Sequence, residues 1–344
     1  MSKYKITLTP TGTFFFGGDM RFEVKTKEDD KEGKKANEQF ASYIIESRKF
    51  PQQTSLLGML RFLILSNSEA FDKSSQTIKN RNDAKRLIGP ASFSNSGEEN
   101  DYGVIKKIGP CGLCKDNGDI LYPVQMFNTD NGLAEIDKEC STYSPKKGIA
   151  ITFGGIEETS IFIKDKRMGI NRNITTGKTE DADLYKQIFY RLTDGYSFAF
   201  EVDVSDDIKL NEKKYTEQLV PLGGDNSQFV IEIKPIDDFQ TETKNKQGTV
   251  LTLLSDAYIP KNVKGNCFAV SAIVPFKCMQ TKVESQEGSY NRLKKNWDYS
   301  DKLYLYKAGS VFFFENEDQY KIFKEEIDSH ADFRQIGYNH YQVK

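Results

Sequence analysis

The stretch "GYSFAFEVDV", residues 195–204, decides the fold. Tyr196, Phe198, Phe200, Val202 and Val204 fall at every second position. Successive side chains of a strand point to opposite faces, so this spacing predicts a strand with one buried face. "MSKYKITLTP" (1–10) has the same pattern through Tyr4, Ile6 and Leu8, and Pro10 ends it. "QFVIEIKPI" (228–236) repeats it with Phe229, Ile231 and Ile233. "GTVLTLLSDAYI" (248–259) and "NCFAVSAIVPF" (266–276) are near-continuous apolar runs and predict central strands, buried on both faces. "DILYPVQMF" (119–127) and "KLYLYKAGSVFFFE" (302–315) add shorter strands, and "FRQIGYNHYQVK" (333–344) returns as a last one.

Helices are fewer. After Pro51, "QQTSLLGMLRFLIL" places Leu56, Leu57, Leu60, Leu63 and Ile64 at helical spacing. Thr54 or Ser55 is the expected N-cap, because a short hydroxyl side chain can accept from the first free amides. Gly58 costs about 1 kcal/mol inside a helix relative to Ala, which suggests close approach by a backbone or ligand. Arg61 lies off the apolar face. The free N–H groups of such a helix start form an anion site. Near the other end, Asn316 is expected to cap a helix with Tyr320, Phe323 and Ile327 on one side. Strand, helix and strand at both ends of the chain predict an α+β fold, with antiparallel sheets and helices on one face.

"GTFFFGGDMRFEV" (12–24) reads as a second strand kinked at Gly17-Gly18, with Asp19 and Arg21 at the turn. Residues 25–39 are charged in both signs and read as a surface loop. The chain's 344 residues exceed what one core usually covers, so two domains are expected. No stretch approaches the ~20 apolar residues of a membrane span. The five cysteines are too few and odd in number for a disulfide framework, which points to the cytoplasm.

The chemical inventory is thin. Two histidines occur, His330 and His340, neither beside an evident nucleophile. Cys111, Cys114 and Cys140 are three thiols without a fourth ligand for zinc. No phosphate-cradling glycine pattern is present, and "LGGDNSQ" (222–228) lacks the spacing. No cofactor or metal is expected. The formal net charge of −2 excludes a broad basic coat, so any nucleic acid must be held at a local site.

The candidate for such a site is "KDKRMGINRNITTGKTEDADLYKQIFYRLTD" (164–194). Lys164, Lys166, Arg167, Arg172 and Lys178 cluster around Gly169, Asn171, Asn173 and Gly177. A hairpin with cations on its arms can clasp a phosphate backbone by displacing counterions. A solvated hairpin without a partner accounts for the same residues.

This stretch resembles the pattern of the RAMP superfamily of CRISPR effector proteins. "GTFFFGGDMRF", "FPQQTSLLGMLR", "IGPCGLC…ILYPV", "LVPLGGDNSQFVIEI" and "YKAGSVFFFE" follow in the order of one family in it. That family is the third subunits of the type III-B (Cmr) complex, in the Cas-five-like group. The resemblance implies two ferredoxin-like domains, 1–205 and 206–344, with long insertions and a thumb hairpin near 160–190. It implies a non-catalytic subunit that binds the 5′ tag of the guide RNA (crRNA). Its partners would be the large Cas-ten-type subunit, neighbouring RAMP backbone subunits and target RNA near the tag. By motif match, Thr54, Ser55, Gly58 and Arg61 would meet the RNA backbone. Arg167, Gly169, Asn171, Arg172, Asn173 and Lys178 would lie on the thumb. Asp19, Arg21, Gly337 and Tyr338 complete the RNA-binding candidates. The family's C-terminal Gly-rich loop is reduced here to "QIGYNHY", and Gln52-Gln53 stand where further prolines are usual. Two alternatives stay open: the equivalent subunit of another type III subtype, and a RAMP endoribonuclease that processes precursor crRNA with His340 and Tyr338.

Overall fold

The computed structural model describes residues 1–18, 20–26, 39–170, 184–240, 248–260, 266–280 and 298–344. Asp19, Asn171, Arg172, Asn173 and Lys178 lie outside the described residues.

Tyr196–Val204 is the centre of a six-stranded antiparallel sheet. One edge pairs with Ser2–Pro10, Ile6 opposite Phe200. The other pairs with Gly112–Lys115 and Ile105–Ile108. Ser2–Pro10 pairs in turn with Gln228–Ile236, and Gln218–Pro221 closes that side. Taken by chain order, the four main positions run fourth, first, third, second, the order in which a βαββαβ chain arranges its strands. Helices α1 (Gln53–Ser66) and α2 (Arg81–Ile88) occupy the first crossover. The second crossover, 205–217, is made of turns.

Tyr196–Val204 is buried on both faces, beyond the one-sided burial its alternation predicts. Ser197, Ala199 and Glu201 are as covered as Phe198 and Phe200. Ile120, Cys114 and Tyr122 pack on Ala199, Thr9 bonds Ser197, and the layer is fastened by Gln240. Its backbone N–H donates to Glu201 Oε1 at 2.8 Å, and its amide bridges the N–H and C=O of Ile120.

A second sheet has the order Asn266–Val270, Val311–Phe314, Val250–Leu253, Tyr341–Val343. Numbered along the chain this is second, third, first, fourth, the same arrangement again. It keeps the opposite helix: α4 (Glu317–Asp328) and α5 (Ala331–Gln335) lie in its later crossover, after the four-residue α3 (Glu158–Ile161) of the first half. Asn316 caps α4 through its side chain, and Tyr320, Phe323 and Ile327 bury against Phe312, Phe314 and Leu251. Asn266–Val270 is an edge strand rather than a central one. The apolar run breaks after it, and Ile273–Phe276 pairs separately with Leu303–Tyr306. Of the last expected strand only Tyr341–Val343 forms, because Ala331–Gln335 is helical. The expected boundary at 205/206 falls inside the first sheet, since Gln218–Pro221 and Gln228–Ile236 belong to it.

Two smaller sheets flank these. Pro123–Thr129 joins Ile149–Phe153, Ile156–Glu157 and Gly132–Glu135. The other holds the hairpin arms Phe162–Ile170 and Leu184–Leu192 beside a second hairpin, Gln39–Glu46 with Met20–Thr26. Strand therefore runs into the charged segment from both sides, to Thr26 and from Gln39. The segment Thr13–Gly18 is no continuous strand. Phe14 and Phe16 insert into the core, 5.2 Å from Phe198 and 5.8 Å from Phe229 between ring centres. Phe50 reaches the same cluster, 5.5 Å from Phe198. Each such aromatic pair adds about 0.5–1.5 kcal/mol beyond its buried area, which fixes the start of α1 on the first sheet.

Candidate nucleic-acid interface

Helix α1 begins at the junction of the two large sheets. Gln52 is its N-cap, in an extended conformation, and no side chain caps the free amides. Thr54 and Ser55 are thus inside the helix, not at its cap. Gln53 replaces them as the fastening residue. Its N–H donates to the Tyr338 hydroxyl at 3.2 Å, and its side-chain Nε2 donates to the Gly337 carbonyl at 3.3 Å. Gly337 has φ +97°, and a Cβ there would lie 2.5 Å from the Gly109 carbonyl oxygen. Only glycine fits at this place.

Around this junction opens a cleft of about 390 Å³. Phe50, Pro51, Ile151 and Pro275 supply apolar walls, with Phe153 fully buried behind Phe50. Arg21, Arg48, Lys49, Lys164 and Lys307 supply five cations against three carboxylates, Glu46, Glu158 and Asp256. Two carboxylates are already neutralised. Lys164 lies 2.8 Å from Glu46, which also accepts from the Tyr190 hydroxyl, and Lys49 pairs with Glu158. Burial pushes the Glu46 carboxyl up, but the Lys164 and Tyr190 hydrogen bonds outweigh it and hold it below its usual range. Asp256 is different. Burial pushes its carboxyl up, against the Ala308 N–H and the nearby Lys307 and Arg48 charges. Arg48 ties the cleft's two sides together. Its N–H donates to the Gly17 carbonyl, and its guanidinium donates to the Pro275 carbonyl at 2.8 Å.

Strand register sorts the hairpin's cations. Residues directly opposite on neighbouring strands share a face. Lys164 opposite Tyr190, Lys166 in the row of Ile188 and Glu46, and Lys186 in the row of Ile44 and Arg21 therefore share the cleft side. Arg167 and Gly169 belong to the other face. The Arg167 guanidinium lies 4.0 Å over the Phe189 ring and bonds Asp165 and Thr13, with Asp225 at 3.9 Å. It fastens the hairpin to the turn at 222–227. The Tyr185 ring lies across Gly169, where a Cβ would come within 2.1 Å of it.

Of the remaining expected residues, Arg21 lies at the cleft rim, and Tyr338 is buried beneath it, with Gly337 at its back. Ser55 and Gly58 line a separate groove of about 300 Å³ between α1 and the edge strand Gln218–Pro221, and Thr54 is half-buried outside both. No described backbone comes close to Gly58, and the space above its Cα opens into this groove. Arg61 is a correction. It is buried, and its guanidinium donates to the carbonyls of Ile88 (2.8 Å) and Gly89 (3.4 Å), holding α2 to α1. A helix position off the apolar stripe can still be internal when a second helix covers it.

His340 and Tyr338 do not form an exposed acid–base couple. His340 is 5% exposed, and its Nε2 lies 3.3 Å from the Arg334 carbonyl. Burial first, then the Arg334 and Lys107 charges, pull its pKa down to about 3. Burial raises the Tyr338 hydroxyl well above the usual tyrosine range. Cys111 and Cys114 are buried with raised thiols, and no cluster of three metal-ligating side chains occurs among the described residues. No described helix is long and apolar enough to cross a membrane.

Arg48, Lys49, Tyr190, Asp256 and Lys307 were not foreseen. "RKFP" (48–51) carried a signal, a basic pair before the Phe-Pro step. Asp256 and Lys307 carried none, because turns far apart in sequence bring them together.

A family model described as "CRISPR-associated protein (Cas_Cmr3)" matches residues 145–343. Among solved structures, a chain of the type III-B Cmr-beta complex bound to cognate target RNA is similar at 16% identity and a TM-score of 0.52. The match covers 98% of this chain and 96% of that one. A chain of the same kind of complex bound to target RNA and AMPPnP gives 15% identity and 0.50, with the same coverage. At such identities the likeness is one of fold. No curated protein matches.

Proposed function

The chain belongs to the Cas_Cmr3 family of CRISPR-associated proteins, and from that premise we propose that it is a non-catalytic RNA-holding subunit of a type III-B effector complex. Its cleft receives the unpaired 5′ tag of the guide RNA, and its remaining surface docks on the large polymerase-like subunit and neighbouring RAMP subunits in the cytoplasm. Target RNA passes near the tag. One observation carries the reading: the two sheets, the hairpin arm and the start of α1 converge on one cleft rimmed by cations and walled by half-buried Phe50 and its apolar neighbours. Unpaired RNA needs this combination, cations for phosphates and flat apolar walls for splayed bases. A local site also suits a chain whose net charge is only −2. Asn171, Arg172, Asn173 and Lys178 lie in the connection between the hairpin arms and remain candidates for touching the RNA, as does Asp19.

The test is fluorescence anisotropy of a labelled, unpaired 8-nucleotide RNA against salt. Binding should weaken steeply as salt rises. Arg21→Gln with Lys307→Gln should flatten the logarithmic salt slope by about 0.7 for each phosphate that is no longer neutralised. A slope unchanged by both substitutions removes the cleft from RNA binding.

A further inference from the structure

Asp256 is the odd group in the cleft. Lys307 and Arg48 favour its charged form from beyond ion-pair distance, against the burial that disfavours it, and toward a polyanion that charge is a cost. Glu46 and Glu158 pair with Lys164 and Lys49, whereas Asp256 has no ion pair among the described residues. It is also fixed in place. Oδ1 accepts the Ala308 N–H at 2.8 Å, and the Asp256 carbonyl accepts the Asn339 N–H at 3.1 Å. The next residue, Ala257, exchanges both backbone hydrogen bonds with Tyr306 at 2.8 Å. Phe50, Pro51 and Pro275 line the same cleft as flat apolar surfaces.

Resting on the function proposed above, we infer that Asp256 is a specificity-determining residue that reads a donor-bearing base edge, guanine before the others. An ionised carboxylate only accepts hydrogen bonds. Guanine offers two adjacent donors on its Watson–Crick edge, N1–H and the N2 amino group, which a carboxylate takes together. Uracil offers a single N–H between two carbonyl acceptors, which the carboxylate repels. A group that is costly for phosphate binding is therefore useful for choosing the base. A well-formed bidentate contact of this kind discriminates by roughly tenfold.

Asp256→Asn is nearly isosteric and sharpens the test. The Ala308 N–H holds the amide oxygen, as it holds Oδ1 now, so the new NH₂ group points at the ligand. A donor there favours acceptor edges. The probes are a labelled octamer of uridines and eight versions carrying one guanosine each, measured with the full chain. In the wild-type protein at least one guanosine position should bind about tenfold tighter than the uridine octamer. Asp256→Asn should abolish that preference and bind the uridine octamer at least as well as wild type does. Inosine, which lacks the N2 amino group, should lose most of the gain at the preferred position. Equal binding of all nine probes by wild type overturns the inference and leaves the cleft's RNA role standing. A guanosine preference that survives Asp256→Asn overturns it as well. Failure of every probe to bind at low salt overturns the proposed function, and this inference with it.

Discussion

Lowering the pH should destabilise this protein through His340, by an amount the burial of that ring sets. Its folded pKa is pulled from 6.5 to about 3, so the folded protein keeps the ring neutral where the unfolded chain protonates it. Between those values the unfolded state binds more protons, and stability falls as pH falls. The contribution is complete above about 6.5 and is lost progressively toward about 3. At a pH of about 5 the unfolded ring is about 1.5 units below its pKa, which amounts to about 2 kcal/mol at 1.36 kcal/mol per unit. Ring NMR makes this direct, because only two histidines contribute signals and His340→Gln assigns them. The His340 resonances should stay at their neutral positions down to a pH of about 5. Denaturant titrations at about pH 7 and pH 5 should show wild type losing about 2 kcal/mol more than His340→Gln. A His340 midpoint near 6.5, or equal losses in the two proteins, refutes the reasoning. A near-neutral midpoint would also restore His340 as an acid–base candidate, since a general base must titrate near its working pH.

Gly337→Ala should cost about 3 kcal/mol, from a left-handed backbone and a clash with the Gly109 carbonyl that no side-chain rotation relieves. Thermal unfolding measures it, and a change under about 0.5 kcal/mol would mean that the junction relaxes freely. Arg61→Leu should cost about 2–3 kcal/mol, because it strands the buried Ile88 and Gly89 carbonyls. The folded variant should bind RNA as wild type does, and a tenfold loss of affinity at unchanged stability would put Arg61 on the RNA after all.

Much of the scaffold was legible in the sequence because it depends on local periodicity. Tyr4, Ile6 and Leu8, and Phe229, Ile231 and Ile233, are buried as alternation requires. Leu56, Leu57, Leu60, Leu63 and Ile64 form the inner face of α1, and Asn316 caps α4 as its side-chain chemistry predicts. What failed depends on packing between distant segments. Ile120 and Tyr122, held by Gln240 from outside the sheet, cover the far face of Tyr196–Val204, so alternation underestimates that strand's burial. Helix α2 covers Arg61, so a position off the apolar stripe became internal. The hairpin held a signal that cation counting overlooks. Lys164 and Lys166 differ in parity from Arg167, and parity alone puts Arg167 on the opposite face. The cleft itself had no local signature beyond "RKFP", because it forms where residues 46–53, 164, 190, 256, 307 and 338 meet.

The central claim is that the tag end of the guide lies in the cleft at the start of α1. Photo-crosslinking tests it most directly: 4-thiouridine is placed along the 5′ tag of a guide in the assembled complex, and the joined peptides are mapped by mass spectrometry. The account predicts crosslinks to the segment around Phe50 and Pro51, to Tyr190, and to the turns bearing Asp256 and Lys307. Crosslinks confined to the groove beside Gly58, or to the Arg167 face of the hairpin, would contradict it.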